Sequence, residues 1–244
     1  MSPTVIITGA SRGIGLAAAQ FLLDDGAQVV TVQRSATPEL AALADKFPTA
    51  LRNIQGDCSD TDVISRTIQA ALNTFGAIDA VVFNAATFAG SVGPVARVPL
   101  EEWRNVFDVN LFGVVRFVQA VLPALTDGGR IISVSSGGSE TCIFATGAYS
   151  ASKAALNSLT RTLAVEHPSK ISVALHPGPV RTEMQQGFTN DAKAYMSVEA
   201  IDKIFEGLLE PEVPGRVISD LALRAGPAFS GKYLHWNDPS LEAL

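Results

Sequence analysis

Thr4-Val-Ile-Ile-Thr8-Gly9-Ala10-Ser11-Arg12-Gly13-Ile14-Gly15 decides the fold. An apolar run ends in a glycine-rich turn, and the turn opens directly into an amphipathic helix reading Ile14 to Asp25. Glycines at a strand-to-helix turn let the chain reverse sharply and let a ligand approach the backbone. The helix start then offers free N–H groups and a positive dipole end to a phosphate. The spacing is Gly-x-x-x-Gly-x-Gly, not the Gly-x-Gly-x-x-Gly of the usual dinucleotide fingerprint. A purely structural turn is the competing reading, and the position after the first strand weighs against it.

The same alternation continues outward from this stretch. Gln28–Gln33, Leu51–Gln55, Asp79–Phe83, Arg130–Ser135 and Ile171–His176 read as strands. Helical stretches lie between them, the longest over Leu100–Leu125 and Ala148–Glu166. The strands are continuous apolar runs, which means both faces are covered. Strand–helix alternation with buried strands predicts an α/β fold: one Rossmann-type doubly wound parallel sheet with helices on both faces, spanning residues 1–244 as a single domain. Residues 183–209 are too long for a simple connection and are expected to form a lid.

Composition narrows the function. The chain has 244 residues, 47% of them hydrophobic and 17% charged. It can therefore bury enough surface to fold, and disorder is excluded. The formal charge is -6 with no basic block, which makes nucleic acid and anionic membrane poor partners. Only Cys58 and Cys142 are present, too few for a disulfide framework. With no leader pattern at the N-terminus, a cytoplasmic location is expected. The three histidines and two cysteines show no zinc spacing, so no metal is expected. A near P-loop at Gly226–Tyr233 lacks the Ser/Thr that would hold magnesium.

Two further motifs carry chemistry. The second strand ends in Gln33-Arg34-Ser35, where an acidic residue would bind the ribose hydroxyls of NAD. A guanidinium there, with Arg12 in the glycine turn, suits the 2′-phosphate of NADP instead. Asp57, after the third strand, either binds the adenine amino group or caps the next helix. Tyr149 and Lys153 are four apart and share a helix face. An ammonium beside a phenol is expected to lower the phenol pKa toward neutrality. Ser136 ends the fifth strand, where its hydroxyl can bind a substrate carbonyl.

On Thr8–Gly15, Asp57, Asn84-Ala85-Ala86, Asn110, Ser135-Ser136, Tyr149–Lys153 and His176–Thr182, the chain resembles the short-chain dehydrogenase/reductase family, in its NADP-preferring branch. The resemblance implies that Tyr149 is the catalytic acid/base and that Lys153 binds the nicotinamide ribose. Ser136 would polarise the carbonyl, and Asn110 would hold a water relaying protons to Lys153. The cofactor would lie on Gly9, Ser11, Arg12, Gly13, Ile14, Gly15, Arg34, Ser35, Asp57, Cys58, Asn84, Ala85, Tyr149, Lys153, Pro177, Gly178, Val180, Thr182 and Met184. One departure stands out: the family's Asn-Asn-Ala-Gly segment reads Phe83-Asn84-Ala85-Ala86 here.

The tail Gly231–Pro239 is similar to that of benzil reductases, a sepiapterin-reductase-like subgroup. This implies NADPH-dependent reduction of a ketone or diketone. A 3-oxoacyl-thioester reductase or an NADP-dependent alcohol dehydrogenase is the alternative within enzymes. A non-catalytic NADP(H)-sensing module is the alternative outside them. The family also implies a homodimer or homotetramer. Phe88, Cys142 and Phe144 line a substrate pocket or are ordinary packing. His176 is expected to pack at a strand end rather than act as a base. Trp103, Phe107, Leu111 and Val114 are expected to be core or subunit contact.

Overall fold

The computed structural model describes residues 2–141 and 143–244; the expectation placed on Cys142 lies outside them. The strands are β1 (Thr4–Thr8), β2 (Gln28–Gln33), β3 (Leu51–Gln55), β4 (Ile78–Phe83), β5 (Leu125–Val134), β6 (Ile171–His176) and β7 (Tyr233–His235). They form one parallel sheet in the order β3-β2-β1-β4-β5-β6-β7. The order reverses between β1 and β4. At such a point the connections leave on opposite faces and open a crevice at the carboxyl ends of the strands.

The helices are α1 (Gly13–Asp24), α2 (Pro38–Lys46), α3 (Thr61–Phe75), α4 (Leu100–Phe107), α5 (Gly113–Val121), α6 (Gly147–Glu166), α7 (Glu183–Ala192), α8 (Val198–Ile204) and α9 (Glu212–Arg224). Alternate residues of a strand face opposite sides. Val5 and Ile7 of β1 therefore join Leu22, Ile218 and Leu221 from α1 and α9. Ile6, between them, joins Ile64, Phe117 and Leu156 from α3, α5 and α6 on the other face. This double coverage is why β1 and β6 read as mostly apolar runs buried along nearly their whole length. Residues Leu100–Ala124 are long and apolar enough to cross a membrane by composition. Here Phe117, Val118 and Val121 spend that apolarity under the sheet.

Four details differ from the sequence reading. The single helix expected over 100–125 is interrupted by a π turn at Asp108–Phe112. A one-residue widening is invisible to hydrophobic periodicity, and such turns gather at functional sites. β5 begins at Leu125, five residues before the expected start, because an irregularity between Ile78 and Ala80 lets Thr126–Gly129 continue the strand. α9 carries Pro214 and Gly215 in its first turn, where their turn chemistry masks a helix. β7 is three residues long, too short to show a period. Residues 183–209, expected as a lid, hold α7 and α8. Their ends are drawn together by Leu209 N–H donating to the Pro179 carbonyl and Arg181 N–H donating to the Leu209 carbonyl, at 2.8 and 2.9 Å.

Candidate active site

A cleft of about 790 Å³ runs along the carboxyl edge of the sheet, from Arg34 after β2 to Phe205 after α8. Its floor is the glycine turn. Asn84, just past β4, donates from Nδ2 to the carbonyls of Thr8 (3.1 Å) and Gly9 (2.9 Å). Thr8 Oγ1 accepts from the N–H groups of Asn84 and Ala85 at 3.1 and 3.0 Å. The retained Asn84 thus locks the turn across the switch point, and replacement of the flanking family residues by Phe83 and Ala86 leaves that lock intact. Gly9 has φ +71°, and a Cβ there would meet the Ala85 backbone at 2.9 Å. Gly15 does not line the cleft. A Cβ on it would meet both the Gly9 carbonyl oxygen and Asn84 Nδ2 at 2.4 Å, so its place is behind the turn. Gly15→Ala is expected to lower stability by about 2 kcal/mol through this overpacking, checked by denaturant unfolding.

Arg12 is the N-cap of α1 and makes no side-chain capping bond. The first N–H groups of α1 therefore remain available to an anion. Ser11, Gly13 and Ile14 line the same wall, and Thr37 Oγ1 fixes the turn by donating to the Ser11 carbonyl at 2.7 Å. An uncapped helix start over a cradle that side chains would fill fits a dinucleotide pyrophosphate. Arg12 pairs across the cleft mouth with Glu183 at the start of α7.

At the β2 end, Arg34 and Ser35 are exposed on the cleft rim. Among the described residues Arg34 makes no ion pair. Asp57 does not cap α3; Asp60 does, accepting from Asp62 N–H and Val63 N–H. Asp57 instead accepts from Ser59 N–H (2.9 Å) and Ser59 Oγ–H (2.8 Å). Burial opposes its charge, but those two bonds and nearby Arg34 hold its carboxyl below the ordinary range. Burial pushes the neighbouring Cys58 thiol up to about 11, which leaves it inert at neutral pH.

At the other end the fold brings Ser136, Tyr149 and Lys153 onto one wall. Ser136 follows β5; its Oγ accepts from Gly138 N–H at 3.2 Å, and its hydroxyl faces the Tyr149 phenol. Tyr149 and Lys153 sit one turn apart in α6. Lys153 is 2% exposed, donates to the Val134 carbonyl at 2.7 Å, and lies 5.7 Å from the centre of the Tyr149 ring.

Here one expectation is overturned. Burial raises the Tyr149 pKa, with the Ser136 hydroxyl acting in the opposite direction and Tyr233 adding to the rise. Burial also lowers Lys153 to about 8. Burial penalises the charged form of both groups, and that outweighs the pull expected from the neighbouring ammonium. The phenol at neutral pH is therefore in its acid form.

Asn110, given a water-holding role by the resemblance, lies within the expected helical stretch. It is buried at the π turn and does not line the cleft. Its Nδ2 donates to the Thr87 carbonyl (2.9 Å) and Ser152 Oγ (3.0 Å), and its Oδ1 accepts from Thr87 N–H (2.8 Å). The side chain thus ties the Thr87 backbone to Ser152 of α6, with both of its amide N–H groups engaged. Pro177, Gly178, Val180, Thr182 and Met184, after β6, cover the cleft from above. His176 packs as expected: its Nδ1 accepts from Gly178 N–H at 3.3 Å. Burial, with His235 beside it, lowers its pKa to about 4.

The apolar end was only partly legible. Phe88 stands edge-on to Tyr149 (6.5 Å) and to Phe188 (6.0 Å), and Phe188 is edge-on to Phe205 (5.6 Å). Phe188, Ile204 and Phe205 come from α7, α8 and the residue after it and were not singled out in the sequence; aromatic residues inside the segment expected to be a lid were the available signal. Phe144 is 54% exposed and lies off the cleft wall, so its pocket reading is withdrawn.

Comparison with known proteins agrees with this geometry. A family model described as short chain dehydrogenase matches residues 3–193. A benzil reductase ((S)-benzoin forming) of Saccharomyces cerevisiae is 31% identical, covering 99% of this chain and 98% of the relative. The crystal structure of a short-chain dehydrogenase/reductase from the same yeast superposes with a TM-score of 0.92 at 32% identity, covering 99% of each chain. A blue fluorescent protein from a metagenomic library, solved in complex with NADPH, superposes with a TM-score of 0.82 at 28% identity, covering 97% of this chain and 96% of the other.

Proposed function

Because the chain belongs to the short-chain dehydrogenase family of oxidoreductases, we propose that it is an NADPH-dependent carbonyl reductase acting on aryl ketones or diketones. The observation that carries this reading is the row of edge-on rings from Phe88 to Phe205 running directly up to the Tyr149 phenol. A flat apolar substituent seated against those rings leaves its carbonyl beside the only wall that carries Ser136, Tyr149 and Lys153.

In this reading the uncapped start of α1 holds the cofactor pyrophosphate and Arg34 and Ser35 receive its 2′-phosphate, with Arg12 reaching the same group by giving up Glu183. Asp57, Cys58, Asn84 and Ala85 border the adenosine, while Pro177 through Met184 cover the nicotinamide. The bound cofactor supplies a hydride. The chain supplies everything else. Ser136 donates its hydroxyl proton as a hydrogen bond to the substrate oxygen and stabilises the charge that develops there. Tyr149, protonated at neutral pH, transfers its phenolic proton to that oxygen and completes the alcohol. Lys153 holds the nicotinamide ribose and limits the cost of the phenolate left behind. α7 and α8 exclude water above the reacting carbon.

Turnover of benzil with NADPH, followed by loss of nicotinamide absorbance, tests the reading; no turnover of aryl ketones or diketones would overturn it. The cofactor assignment has a separate test. Arg34→Asp replaces a phosphate partner by a repelling carboxylate and is expected to raise the NADPH Kd about 100-fold. NADH binding should change far less. Equal loss for both dinucleotides would remove Arg34 from the 2′-phosphate.

A further inference from the structure

The turn that carries Ser136 is gripped from two sides by Tyr233 and Asn157, neither of which lines the cleft. The Ser136 carbonyl accepts three hydrogen bonds: from Ser139 N–H at 3.0 Å, Ser139 Oγ–H at 2.6 Å and the Tyr233 phenol at 3.0 Å. Ser139 Oγ in turn accepts from Asn157 Nδ2 at 2.8 Å, and Asn157 Oδ1 accepts from Ser135 Oγ–H at 2.6 Å. Ser135 and Asn157 are buried. Asn157 follows Lys153 by four residues and Tyr149 by eight, so all three share one face of α6. Tyr233 opens β7. The peptide after Ser136 cannot rotate without breaking several bonds at once.

We propose that Tyr233 and Asn157 are positioning residues for the reaction: they set where the Ser136 hydroxyl stands relative to Tyr149. The proposal rests on the role given to Ser136 above. Asn157 couples the serine turn to the helix that carries the proton donor, so the two groups share one frame. Tyr233 anchors the same carbonyl to the sheet edge, against the pull of a substrate oxygen on the serine. A hydroxyl displaced by a fraction of an ångström loses much of its value to a developing oxyanion.

Tyr233→Phe removes one hydroxyl and keeps the ring against His235, 5.5 Å away. It is expected to lower kcat for benzil about tenfold, with KM for benzil and the NADPH Kd within about twofold. The loss should vanish in a Ser136→Ala background, because a residue that acts through Ser136 has nothing left to position. Hydrogen exchange at the 137–139 amides should accelerate in Tyr233→Phe. Asn157→Ala should repeat the pattern. Full kcat in Tyr233→Phe, a loss undiminished in Ser136→Ala, or unchanged amide exchange would each overturn the proposal. A Ser136→Ala enzyme with normal turnover would instead overturn the role of Ser136, a distinct result.

Discussion

Tyr149→Phe is expected to lower carbonyl reduction about 10³-fold while NADPH binding stays within about twofold of the parent. The phenol ring is an end member of the aromatic row, edge-on to Phe88, and a phenylalanine keeps that contact and the shape of the cleft. Only the proton donor is lost, so the change falls on kcat and not on binding. The pH dependence follows from the same environment. Burial holds the Tyr149 pKa above its ordinary value, so the acid form needed for reduction persists through neutral pH. The rate of reduction should therefore be flat there and fall only in alkaline solution. Alcohol oxidation needs the phenolate and should rise over the same alkaline range. Steady-state kinetics in both directions, with dinucleotide binding by fluorescence, check both points. A Tyr149→Phe enzyme that keeps full activity would remove the proton-transfer role altogether.

How much of this was visible in the chain depends on the range of the forces involved. The sheet was legible because burial on both faces forces apolar runs, and β1, β2, β3 and β6 keep the bounds that their sequence predicts. The cleft was legible where chemistry is local. Gly9, Arg34 and the Tyr149/Lys153 pair announce themselves by type and spacing, and all four line it. Signals that depend on distant partners were not. The Thr87 and Ser152 bonds that hold Asn110 join segments 23 and 42 residues apart in sequence. The direction of the Tyr149 pKa depends on burial from several elements at once, whereas the sequence shows only the neighbouring lysine. The aromatics Phe188 and Phe205 pack with Phe88 because α7 and α8 bring them to the 88–92 segment, a contact between distant parts of the sequence.

Lys153→Met should stabilise the protein and at the same time cut turnover by about 10³-fold. The ammonium is buried against one carbonyl, and burial lowers its pKa from 10.5 to about 8. A gap of this size corresponds to roughly 3 kcal/mol of stability forgone at neutral pH. The sign follows from proton uptake. Between the folded and unfolded pKa values the unfolded chain binds more protons, so stability rises as pH climbs from about 8 to 10.5 and is lowest below that window. Methionine of similar length removes the buried charge, while the Val134 carbonyl loses its partner at a cost of about 1–2 kcal/mol. The net gain is about 1–2 kcal/mol at pH 7, or a Tm higher by about 5 °C. The wild-type curve should overtake the variant near pH 10, where its lysine folds uncharged and retains the carbonyl bond. Thermal unfolding of both proteins at pH 7 and pH 10 measures this directly. A variant less stable at pH 7, or a gap independent of pH, would mean that the ammonium is well compensated in the fold. A gain in stability joined to lost turnover would mean that the cation is retained for the chemistry at Tyr149, against the preference of the fold.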